Sequence, residues 1–460
     1  MHVLFATAEL APLVKVGGLG EAACGLVRAL RLQGHHVDVV LPDYGIGGHQ
    51  HSPLHPSGHE PVITLDVPSW AAPAVVRTIE LPELGPVHLV DTPGIRRHHP
   101  YVHTATGQGW ADNDLRFFGF SRAVAALAAR WRPDVVHLND WHTATALAAL
   151  EPTMPTVFTV HNLAYQGWAD AGWATALGDR GTPFMHHDAI NPLAGALRLA
   201  HAVVAVSPTY AREIRTAEHG EGLHPLTVAC GERLIGIRNG IDHARWNPAT
   251  DVSLAANYHA SDVAGREVCA KELRRRVGFD HTARNGADGA DGPIIAVVAR
   301  LVEQKGIDLA LALAPLLQTL PARLVVVGDG DPALADAARQ QMVRHPDRVW
   351  FAPYRDELAH QVAAGADIML VPSRFEPCGV TQMEAMAYGA VPVVSAVGGL
   401  RDTVVDADRY PSRGNGFVAA TADPLHLMDA VHRAVRAHRN RRRWQTIQSR
   451  GMRTDWSWDG

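Results

Sequence analysis

Residues 368–395 read IMLVPSRFEPCGVTQMEAMAYGAVPVVS, and this stretch decides the fold. The runs Ile368–Val371 and Val391–Ser395 have the length and the β-branched composition of strands that are buried on both faces. A helix is predicted between them, through Met383–Tyr388. Two buried strands joined by a helix lie parallel in one sheet. The stretch therefore predicts an α/β protein.

The same alternation of short apolar runs and helical stretches extends through both halves of the chain. The further predicted strands are Val3–Thr7, Val37–Leu41, Val135–Leu138, Thr156–Val160, Val203–Val206 and Leu234–Ile237 in the first half, and Ile294–Ala299, Arg323–Val327 and Val349–Ala352 in the second. Two such sets predict two doubly wound, Rossmann-like domains, which we place at residues 1–245 and 246–460. Ligands of such sheets bind beyond the carboxyl ends of the strands, so a cleft between the domains is expected to hold the site. A flexible loop is predicted at residues 285–292.

Composition limits the classes of function that the chain can have. Apolar residues make up 47% and charged residues 19%, and the formal net charge of −5 argues against a nucleic-acid-binding protein. No apolar run approaches the roughly 18 residues of a membrane span. Glu9 interrupts the first apolar run, which we interpret as a strand rather than a signal peptide. The four cysteines form no CxxC pair, which fits a reducing cytoplasm.

The chain has 27 histidines, an unusual number, and many of them stand in pairs. The pairs are His35–His36, His49/His51, His98–His99 and His186–His187. A metal site is one interpretation, but no pair has a third ligand at a recognisable spacing. A solvated surface rich in histidine is the simpler interpretation, so no metal site is predicted.

The strongest candidate site lies directly after the strand Ile368–Val371. Glu376 comes just before a helix start, where backbone N–H groups can hold sugar hydroxyls or phosphate oxygens and the carboxylate can accept hydrogen bonds from a sugar. Cys378 is a conceivable nucleophile, but no base flanks it in the sequence and small buried cysteines are common. Glu384 lies one or two helical turns further on, where it either reaches ribose hydroxyls or is a charge on the helix surface.

A pair of cations follows the strand Ile294–Ala299. Arg300 and Lys305 are fixed charges five residues apart at a strand end, and such a pair can bracket a diphosphate. The alternative interpretation is a surface ion pair with Glu303.

Three further motifs follow strands of the first half. Lys15–Gly20, KVGGLG, leads into a helix whose start suits a phosphate, although an ordinary glycine-rich turn explains the motif equally well. His161–Gly167, HNLAYQG, and Asp140–His142, DWH, follow two neighbouring strands. A single histidine at a strand end can be a core residue, but two such strand ends favour a functional site.

Taken together, these motifs resemble those of the bacterial glycogen synthase and plant starch synthase family of retaining glycosyltransferases. The matching segments, in the family's order, are KVGGLG (15–20), NDWH (139–142), TVHNLAYQG (159–167), VSPTYAREI (206–214), NGIDHARWNPATD (239–251), ARLVEQKGID (299–308), PSRFEPCGVTQ (372–382), GGLRDTV (398–404) and MRTDWSWD (452–459). They span nearly the whole chain, and SRFEPCG and HNLAYQG are the most specific among them.

The resemblance implies a GT-B fold, which consists of two Rossmann-like domains with the active site in the cleft. It also implies transfer of glucose from ADP-glucose to the non-reducing-end 4-hydroxyl of an α-1,4-glucan such as glycogen or a maltooligosaccharide. Configuration is retained in that reaction, and neither a metal nor a cofactor is implied.

The resemblance also implies roles for individual residues. His161 lies beside the donor glucose, where its backbone carbonyl stabilises positive charge at the anomeric carbon. Arg300 and Lys305 neutralise the diphosphate leaving group, and Glu376 holds the glucose. The remaining residues that it places at the substrates are Lys15, Gly17, Gly18, Asp140, Asn162, Asn239, Cys378, Gly379, Val380, Thr381 and Glu384.

Three features depart from the family pattern. Glu384 stands where glycogen synthases usually lack a glutamate, which leaves the choice between ADP, UDP and GDP open. The segment Arg96–Trp110 is short and rich in histidine, so the contacts to the acceptor are expected to differ. The family also continues beyond Trp458–Gly460 into a last helix.

Alternative functions remain open at this point. The nearest is a retaining GT-B transferase with a small acceptor, such as a maltosyl-phosphate or sucrose-type synthase. A glucan-binding protein without activity would have no use for paired diphosphate cations. A dinucleotide-dependent oxidoreductase would need GxGxxG with an acidic residue about 20 positions further on, and the sequence lacks this motif.

Overall fold

The structure is a computed structural model that describes residues 1–45, 62–82, 84–104, 106–279 and 292–459. These residues form two compact units, Met1–Asn239 and Gly240–Gly460. His49, His51 and most of the predicted loop at 285–292 lie outside the described residues.

The elements of each unit alternate as the sequence pattern predicts. The first unit contains β1 (His2–Ala6), α1 (Gly18–Leu32), β2 (His36–Pro42), β3 (Ile63–Leu65), β4 (Ala74–Leu81), β5 (Gly85–Asp91), α2 (Asn113–Trp131), β6 (Val135–Asn139), α3 (Trp141–Ala144), β7 (Thr156–Val160), α4 (Trp173–Ala176), β8 (Met185–His186), β9 (Ala189–Ile190), α5 (Pro192–Leu199), β10 (Ala202–Ala205), α6 (Pro208–Glu213), α7 (His224–Ala229) and β11 (Leu234–Gly236). The second contains α8 (Ala264–Arg276), β12 (Ile294–Val298), α9 (Ile307–Ala312), β13 (Arg323–Val327), α10 (Pro332–Arg344), β14 (Val349–Ala352), α11 (Asp356–Gly365), β15 (Ile368–Val371), α12 (Thr381–Ala387), β16 (Val391–Ser395), α13 (Gly398–Thr403), β17 (Phe417–Ala419), α14 (Pro424–His438) and α15 (Arg441–Arg453).

Four of these helices begin with the same local signal, a capping side chain followed by proline. The pairs are Asn191-Pro192 at α5, Ser207-Pro208 at α6, Asp331-Pro332 at α10 and Asp423-Pro424 at α14. In each pair the side-chain oxygen accepts a hydrogen bond from a backbone N–H of the first turn, and proline at the first helical position sacrifices no intrahelical bond. The sequence thus determines where these helices start.

The first unit is built on one sheet with the strand order β11-β10-β7-β6-β1-β2-β5-β4-β3. The strands from β11 to β5 pair in parallel, and β4 and β3 add an antiparallel extension at one edge. From the central β1 the chain adds β2 and β5 on one side, and then β6, β7, β10 and β11 on the other. The strand order therefore reverses between β1 and β6, which is where ligands bind in doubly wound sheets.

The second unit has a fully parallel sheet with the order β14-β13-β12-β15-β16-β17. Here the reversal lies between β12 and β15. Alternate residues of the strands, among them Ile295, Val297, Ile368 and Leu370, form one core with α9, α10, α14 and α15. Helices α11 and α12 also contact the sheet, at β12 and at β15 and β16.

The predicted α/β class with two doubly wound units is confirmed, and the predicted strands are present. β7, β13, β14, β15 and β16 have the predicted bounds, and the other predicted strands differ by one residue at one end or at both. The prediction was wrong in treating the first sheet as purely parallel, because it missed β3, β4 and β5, and it also missed β17 and the separate two-stranded sheet of β8 and β9. β4, AVVRTIEL, alternates buried and exposed side chains and pairs antiparallel with β5, so its pattern is that of a half-exposed hairpin. The assignment of residues 1–245 and 246–460 to separate domains stays a prediction.

Both sheets end in very short strands. β11, β3 and β17 have three residues each, and β14 has four. The four cysteines are free and buried. Within the described ranges, no helix is both long enough and apolar enough to cross a membrane.

Candidate functional site

Two loops at the reversal point of the second sheet carry the charged residues of the strongest motifs. Lys305, in the loop after β12, donates a hydrogen bond from Nζ to Oε2 of Glu376, in the loop after β15, across 2.5 Å. The hydroxyl of Ser373 donates to the same oxygen across 3.0 Å. The Glu376 side chain is 6% exposed and that of Lys305 is 20% exposed. Lys305 thus forms a part-buried ion pair with Glu376, and not the surface pair with Glu303 that was the alternative.

The backbones of these two loops also fit tightly against each other. Gly306 has a φ of +64°, and a Cβ at this position would lie 2.1 Å from the carbonyl oxygen of Pro372. The backbone N–H of Arg374 donates to the Gln304 carbonyl across 2.8 Å. The guanidinium of Arg374 binds both carboxylate oxygens of Asp308, at 2.8 and 2.6 Å. Since glycine is required at this contact, the KG and PSRFEP motifs form one rigid piece.

The segment after Glu376 is held by the first turn of α13, which contains the GGL motif. A Cβ on Gly399 would lie 2.2 Å from the Cys378 carbonyl oxygen, so only glycine fits there. The backbone N–H of Gly399 donates to the Glu376 carbonyl across 3.0 Å. Gly379 adopts a φ of +70°, and the amide of Gln382 donates to its carbonyl across 2.6 Å. The backbone around Glu376 is therefore fixed on both sides.

The remaining predicted residues of this unit differ in exposure. Cys378 and Glu384 are buried, at 4% and 8% exposure, so Glu384 is not the surface charge that was one of its two interpretations. Val380 immediately precedes α12, and Thr381 is its first residue. Arg300 is partly exposed, and its side chain makes no hydrogen bond or ion pair with any residue that the structure describes. The guanidinium of Arg300 is thus available for a ligand.

In the first unit, Glu9 organises the glycine-rich loop. Its Oε2 accepts hydrogen bonds from the backbone N–H groups of Val16 and Gly17, at 2.7 and 2.9 Å, and its Oε1 accepts one from the Tyr101 hydroxyl at 2.8 Å. Gly17 precedes α1, whose first residue is Gly18. Lys15 forms an ion pair with Glu21 in the first turn of α1, at 2.7 Å. A buried carboxylate therefore sets the shape of the loop that the sequence predicts to bind phosphate.

Asp140 and His161 meet across the carboxyl ends of β6 and β7. Asp140 Oδ1 accepts hydrogen bonds from the backbone N–H groups of His161 and Asn162, at 2.7 and 3.4 Å. Asp140 has a φ of +55°, which is rare and strained for a residue with a side chain, and such strain is concentrated at functional sites. Burial, with a smaller contribution from the Glu9 charge, raises the pKa of Asp140 to about 7.

The imidazole of His161 is neutral. Its Nε2–H donates to Oδ1 of Asn139 across 2.9 Å, and Asn139 is anchored in turn on the carbonyl of Ala6 in the central strand. Burial, together with the nearby His137, lowers the pKa of His161 to about 3. At neutral pH this side chain therefore adds no positive charge to the site.

The rest of the HNLAYQG motif shapes its loop. The Leu163 backbone N–H donates to the Tyr210 hydroxyl at 2.8 Å, and the amide of Gln166 bonds to the carbonyl of Glu221. Gly167 has a φ of +71°, and a Cβ there would overlap the ring of Trp141 at 2.2 Å. The motif thus needs glycine because the DWH segment packs directly against it.

Arg116, which is fully buried, anchors the start of the short histidine-rich segment Arg96–Trp110. Its guanidinium donates to the carbonyl oxygens of Gly94, Ile95 and Pro100, at 2.9, 3.0 and 3.0 Å. This brings Tyr101, the partner of Glu9, against the ring of His142 at a centroid distance of 4.9 Å.

Sequence reasoning missed several residues that hold this arrangement. Glu9 was noted only as a break in an apolar run, although a charge directly after the central strand was the available signal. Tyr101 and Gly399 carry no such signal, because their partners are distant in sequence, whereas Ser373 stands three residues before its partner Glu376 and was not singled out. Asn239 is buried and its backbone bonds to Val206, and in the described part of the chain its side chain makes no hydrogen bond to the other predicted residues.

Comparison with known proteins gives consistent matches along the chain. Residues 2–229 match the family described as starch synthase catalytic domain, and residues 282–449 match glycosyl transferases group 1. A protein named glycogen synthase from Anaeromyxobacter sp. (strain Fw109-5) is 41% identical, and the match covers 100% of this chain and 97% of that protein.

Solved structures give the same result. The catalytic domain of starch synthase IV from Arabidopsis thaliana, bound to ADP and acarbose, superposes with a TM-score of 0.86 at 32% identity, covering 100% of this chain and 96% of that one. A sucrose-phosphate synthase from Thermosynechococcus elongatus has a TM-score of 0.60 at 19% identity, covering 99% and 95%. This second likeness concerns the fold alone.

Proposed function

Because this chain belongs to the glycogen synthase and starch synthase family of glycosyltransferases, we propose that it transfers glucose from ADP-glucose to the non-reducing-end 4-hydroxyl of an α-1,4-glucan, with retention of configuration. The chain is a hexosyltransferase of the GT-B class, as its sequence motifs predicted. The observation that carries the proposal is the ion pair between Lys305 and Glu376, which joins two motifs at the reversal point of the second sheet.

Breaking the bond between glucose and diphosphate creates opposite charges on the two fragments. Negative charge grows on the diphosphate, and fixed cations stabilise it without having to reorganise. Lys305 and the free guanidinium of Arg300 supply these cations. We expect donor binding to divide the ion pair, so that Lys305 turns to a phosphate oxygen and Glu376 accepts hydrogen bonds from the glucose. Each charged group then keeps a partner, which limits the free energy that breaking the pair requires.

The sugar fragment develops positive charge at its anomeric carbon. His161 is neutral because of its low pKa, so its imidazole does not oppose this charge. Oxygen atoms are the groups that can stabilise the charge, and the backbone carbonyl of His161 is our candidate. Asp140 holds the His161 backbone N–H at 2.7 Å and so fixes the orientation of that peptide. Asn162 and Asn239 are proposed to contact the substrates.

The donor loop of the first unit is the second group of proposed contacts. Glu9 fixes the shape of the loop in which Lys15, Gly17 and Gly18 are proposed to contact the donor, and the N–H of Gly17 would exchange Glu9 for the donor on binding. In the second unit, the backbone of Cys378, Gly379 and Val380 is proposed to hold the glucose, Thr381 to reach phosphate, and Glu384 the ribose.

The substrates are proposed from the relatives. The starch synthase IV structure contains ADP and acarbose, which supports an ADP-linked donor and a glucan-like acceptor for this chain. We propose that glycogen or a maltooligosaccharide is the acceptor. A cytoplasmic location is proposed as well, and the four free, buried cysteines fit it.

The test is glucose transfer onto maltooligosaccharides with ADP-glucose and UDP-glucose side by side, in the presence of EDTA. The proposal expects elongation with ADP-glucose. Preference for UDP-glucose would overturn the choice of donor and direct attention to Glu384. If neither donor elongated maltooligosaccharides, but glucose was transferred to a small acceptor, the sucrose-type alternative would be favoured.

A variant pair tests the role of the cation. Lys305→Met is expected to raise the donor KM and to lower kcat by about 10²–10³-fold, since it removes a charge from the leaving group. Lys271→Met is the matched control, because Lys271 lies on the exposed surface of α8 in the same unit. Normal kinetics for both variants would refute the role assigned to Lys305.

A further inference from the structure

The first sheet brings three potential metal ligands together at its amino-terminal edge. His2 is the first residue of β1, and His36 is the first residue of β2. The two residues are direct partners in the parallel ladder. Asp38 lies two residues after His36, and side chains two apart on a strand share a face. A ring nitrogen of each histidine and a carboxylate oxygen of Asp38 lie within 4.8 Å of one another.

The distances within this group fit a small cation. His2 Nε2 is 2.7 Å from Oδ2 of Asp38, and His36 Nε2 is 3.7 Å from Oδ1 of the same carboxylate. Ligand atoms around a tetrahedral zinc ion with bonds of about 2.0–2.1 Å are about 3.3 Å apart. The two observed separations, each to a different oxygen of Asp38, lie on either side of this value, so we expect side-chain rotations to bring one ligand atom of each residue to it.

A third histidine supports the carboxylate. His88 of β5 donates from Nε2 to Oδ1 of Asp38 across 3.2 Å, and its Nδ1 accepts a hydrogen bond from the Thr78 hydroxyl at 2.9 Å. Metal-binding carboxylates are held by partners of this kind in characterised sites. Both oxygens of the carboxylate are thus held by histidine rings, Oδ1 by His88 and Oδ2 by His2.

The group is also reachable from solvent. The side chain of His36 is 67% exposed and that of His2 is 25% exposed, whereas that of Asp38 is 13% exposed. An ion can thus enter from the His36 side and meet a preformed carboxylate. Elsewhere in the described ranges, no other three His, Cys, Asp or Glu side chains offer ligand atoms this close together.

We propose that His2, His36 and Asp38 bind a divalent transition-metal ion, with zinc as the expected ion and water completing its coordination. Two imidazoles and one carboxylate suit zinc and its neighbours in the first row, and are poor ligands for magnesium or calcium. The hydrogen bond from His2 to Asp38 is replaced by bonds from both groups to the metal.

The position of the site indicates a structural role. Residues at the reversal point follow the carboxyl end of β1, whereas this site lies at its amino-terminal end. The five residues of β1 separate the two by about 16 Å. The metal therefore joins β1 to β2 and takes no part in glucose transfer.

The experiment measures zinc binding by the tag-free full-length chain after treatment with a chelator. Zinc is titrated in competition with a chromophoric chelator, and the wild type is compared with His36→Ala and His187→Ala. His187 is a matched control, because it is exposed and its ring lies 4.4 Å from that of His186 at an angle of 47°, much as the rings of His36 and His2 lie 4.6 Å apart at 45°. We expect one tight equivalent in the wild type and in His187→Ala, and binding weaker by about 100-fold or more in His36→Ala.

Two further readouts keep the result decisive. Added zinc should raise the Tm of the wild type and of His187→Ala, and should leave that of His36→Ala unchanged. When cobalt is bound in place of zinc, the wild type should show the visible absorption of a four-coordinate ion. His36→Ala should not show it. Equal tight binding of zinc by all three proteins, or no tight equivalent in the wild type, would overturn the proposal. Asp38→Asn provides a second variant in case His36→Ala is poorly folded.

Discussion

The substitution Gly306→Ala tests whether the loops that carry Lys305 and Glu376 act as one piece. A φ of +64° costs a residue with a Cβ about 1–2 kcal/mol of folding free energy. Alanine also makes the unfolded chain less flexible than glycine does, which offsets about 0.4–1 kcal/mol of this cost. The new Cβ would also lie 2.1 Å from the Pro372 carbonyl oxygen, whereas real contacts are essentially never under 3.0 Å. The loops must then move apart by about 1 Å, and overpacking of this kind costs about 1–3 kcal/mol.

Gly278→Ala is the matched control in the same unit. Gly278 has a φ of +73°, and a Cβ there meets no atom of the described residues within 4 Å, so this variant shows the backbone cost without the clash. We expect Gly278→Ala to lower the free energy of unfolding by about 1 kcal/mol and Tm by about 2–4 °C. Gly306→Ala should lower the free energy of unfolding by about 2–4 kcal/mol and Tm by about 4–16 °C.

Activity separates the two variants more strongly. A displacement of about 1 Å between catalytic groups lowers turnover by about 100-fold, so kcat/KM for the donor should fall by this factor in Gly306→Ala and stay unchanged in Gly278→Ala. Calorimetry and steady-state kinetics on the pair make the comparison. If both variants had the same Tm and the same kcat/KM, the two loops would not be coupled through Gly306, and the reasoning would be refuted.

Three other outcomes follow from the site. Glu9→Ala should raise the donor KM more than Tyr101→Phe, because it releases the loop amides that Glu9 holds as well as the tyrosine hydroxyl; equal KM values in the two variants would contradict this. Asp140 has a pKa raised to about 7 in the folded chain, so the stability that its protonated form contributes is present below about pH 4 and is lost as pH rises through 7. The free energy of unfolding of Asp140→Asn, relative to that of the wild type, should therefore rise by about 1.4 kcal/mol per pH unit between about pH 4.5 and 6.5. Denaturant titration measures both free energies, and a difference that stays constant with pH would count against the raised pKa. Cys378→Ser should lower kcat by less than about tenfold, since loss of a covalent nucleophile costs about 10⁴-fold or more, and a loss of that size would restore the covalent role.

Five of the six strands of the second unit, all but β17, could be predicted almost to the residue because they are buried on both faces. Apolar runs such as Leu324–Val327 have clear ends, which Gly328 marks after this strand and a proline marks after β14 and β15. β4 could not be found in this way. One of its faces is partly exposed, so Arg77 and Glu80 interrupt the run, and its partner β5 begins with Gly85 and Pro86.

The candidate site was predictable in its motifs and unpredictable in its contacts. Lys305 and Glu376 each stand out as a charge at the end of a buried strand, but they are separated by 71 residues, and only the strand order β12-β15 makes them neighbours. Glu9 and Tyr101 are 92 residues apart and meet because Arg116 holds the intervening segment. Pairings of this kind depend on sheet order and strand register, which local pattern does not contain.

The very short strands at the edges of both sheets have a consequence for the behaviour of the protein at high concentration. An edge strand offers unpaired N–H and C=O groups to which another chain can add a strand, and long edges are therefore a route to aggregation. Three residues span only about 10 Å, which leaves room for one or two hydrogen bonds between chains. The interior strands are covered by their neighbours on both sides. The short edge strands therefore limit the addition of strands between chains where many copies of the enzyme act close together on one glucan.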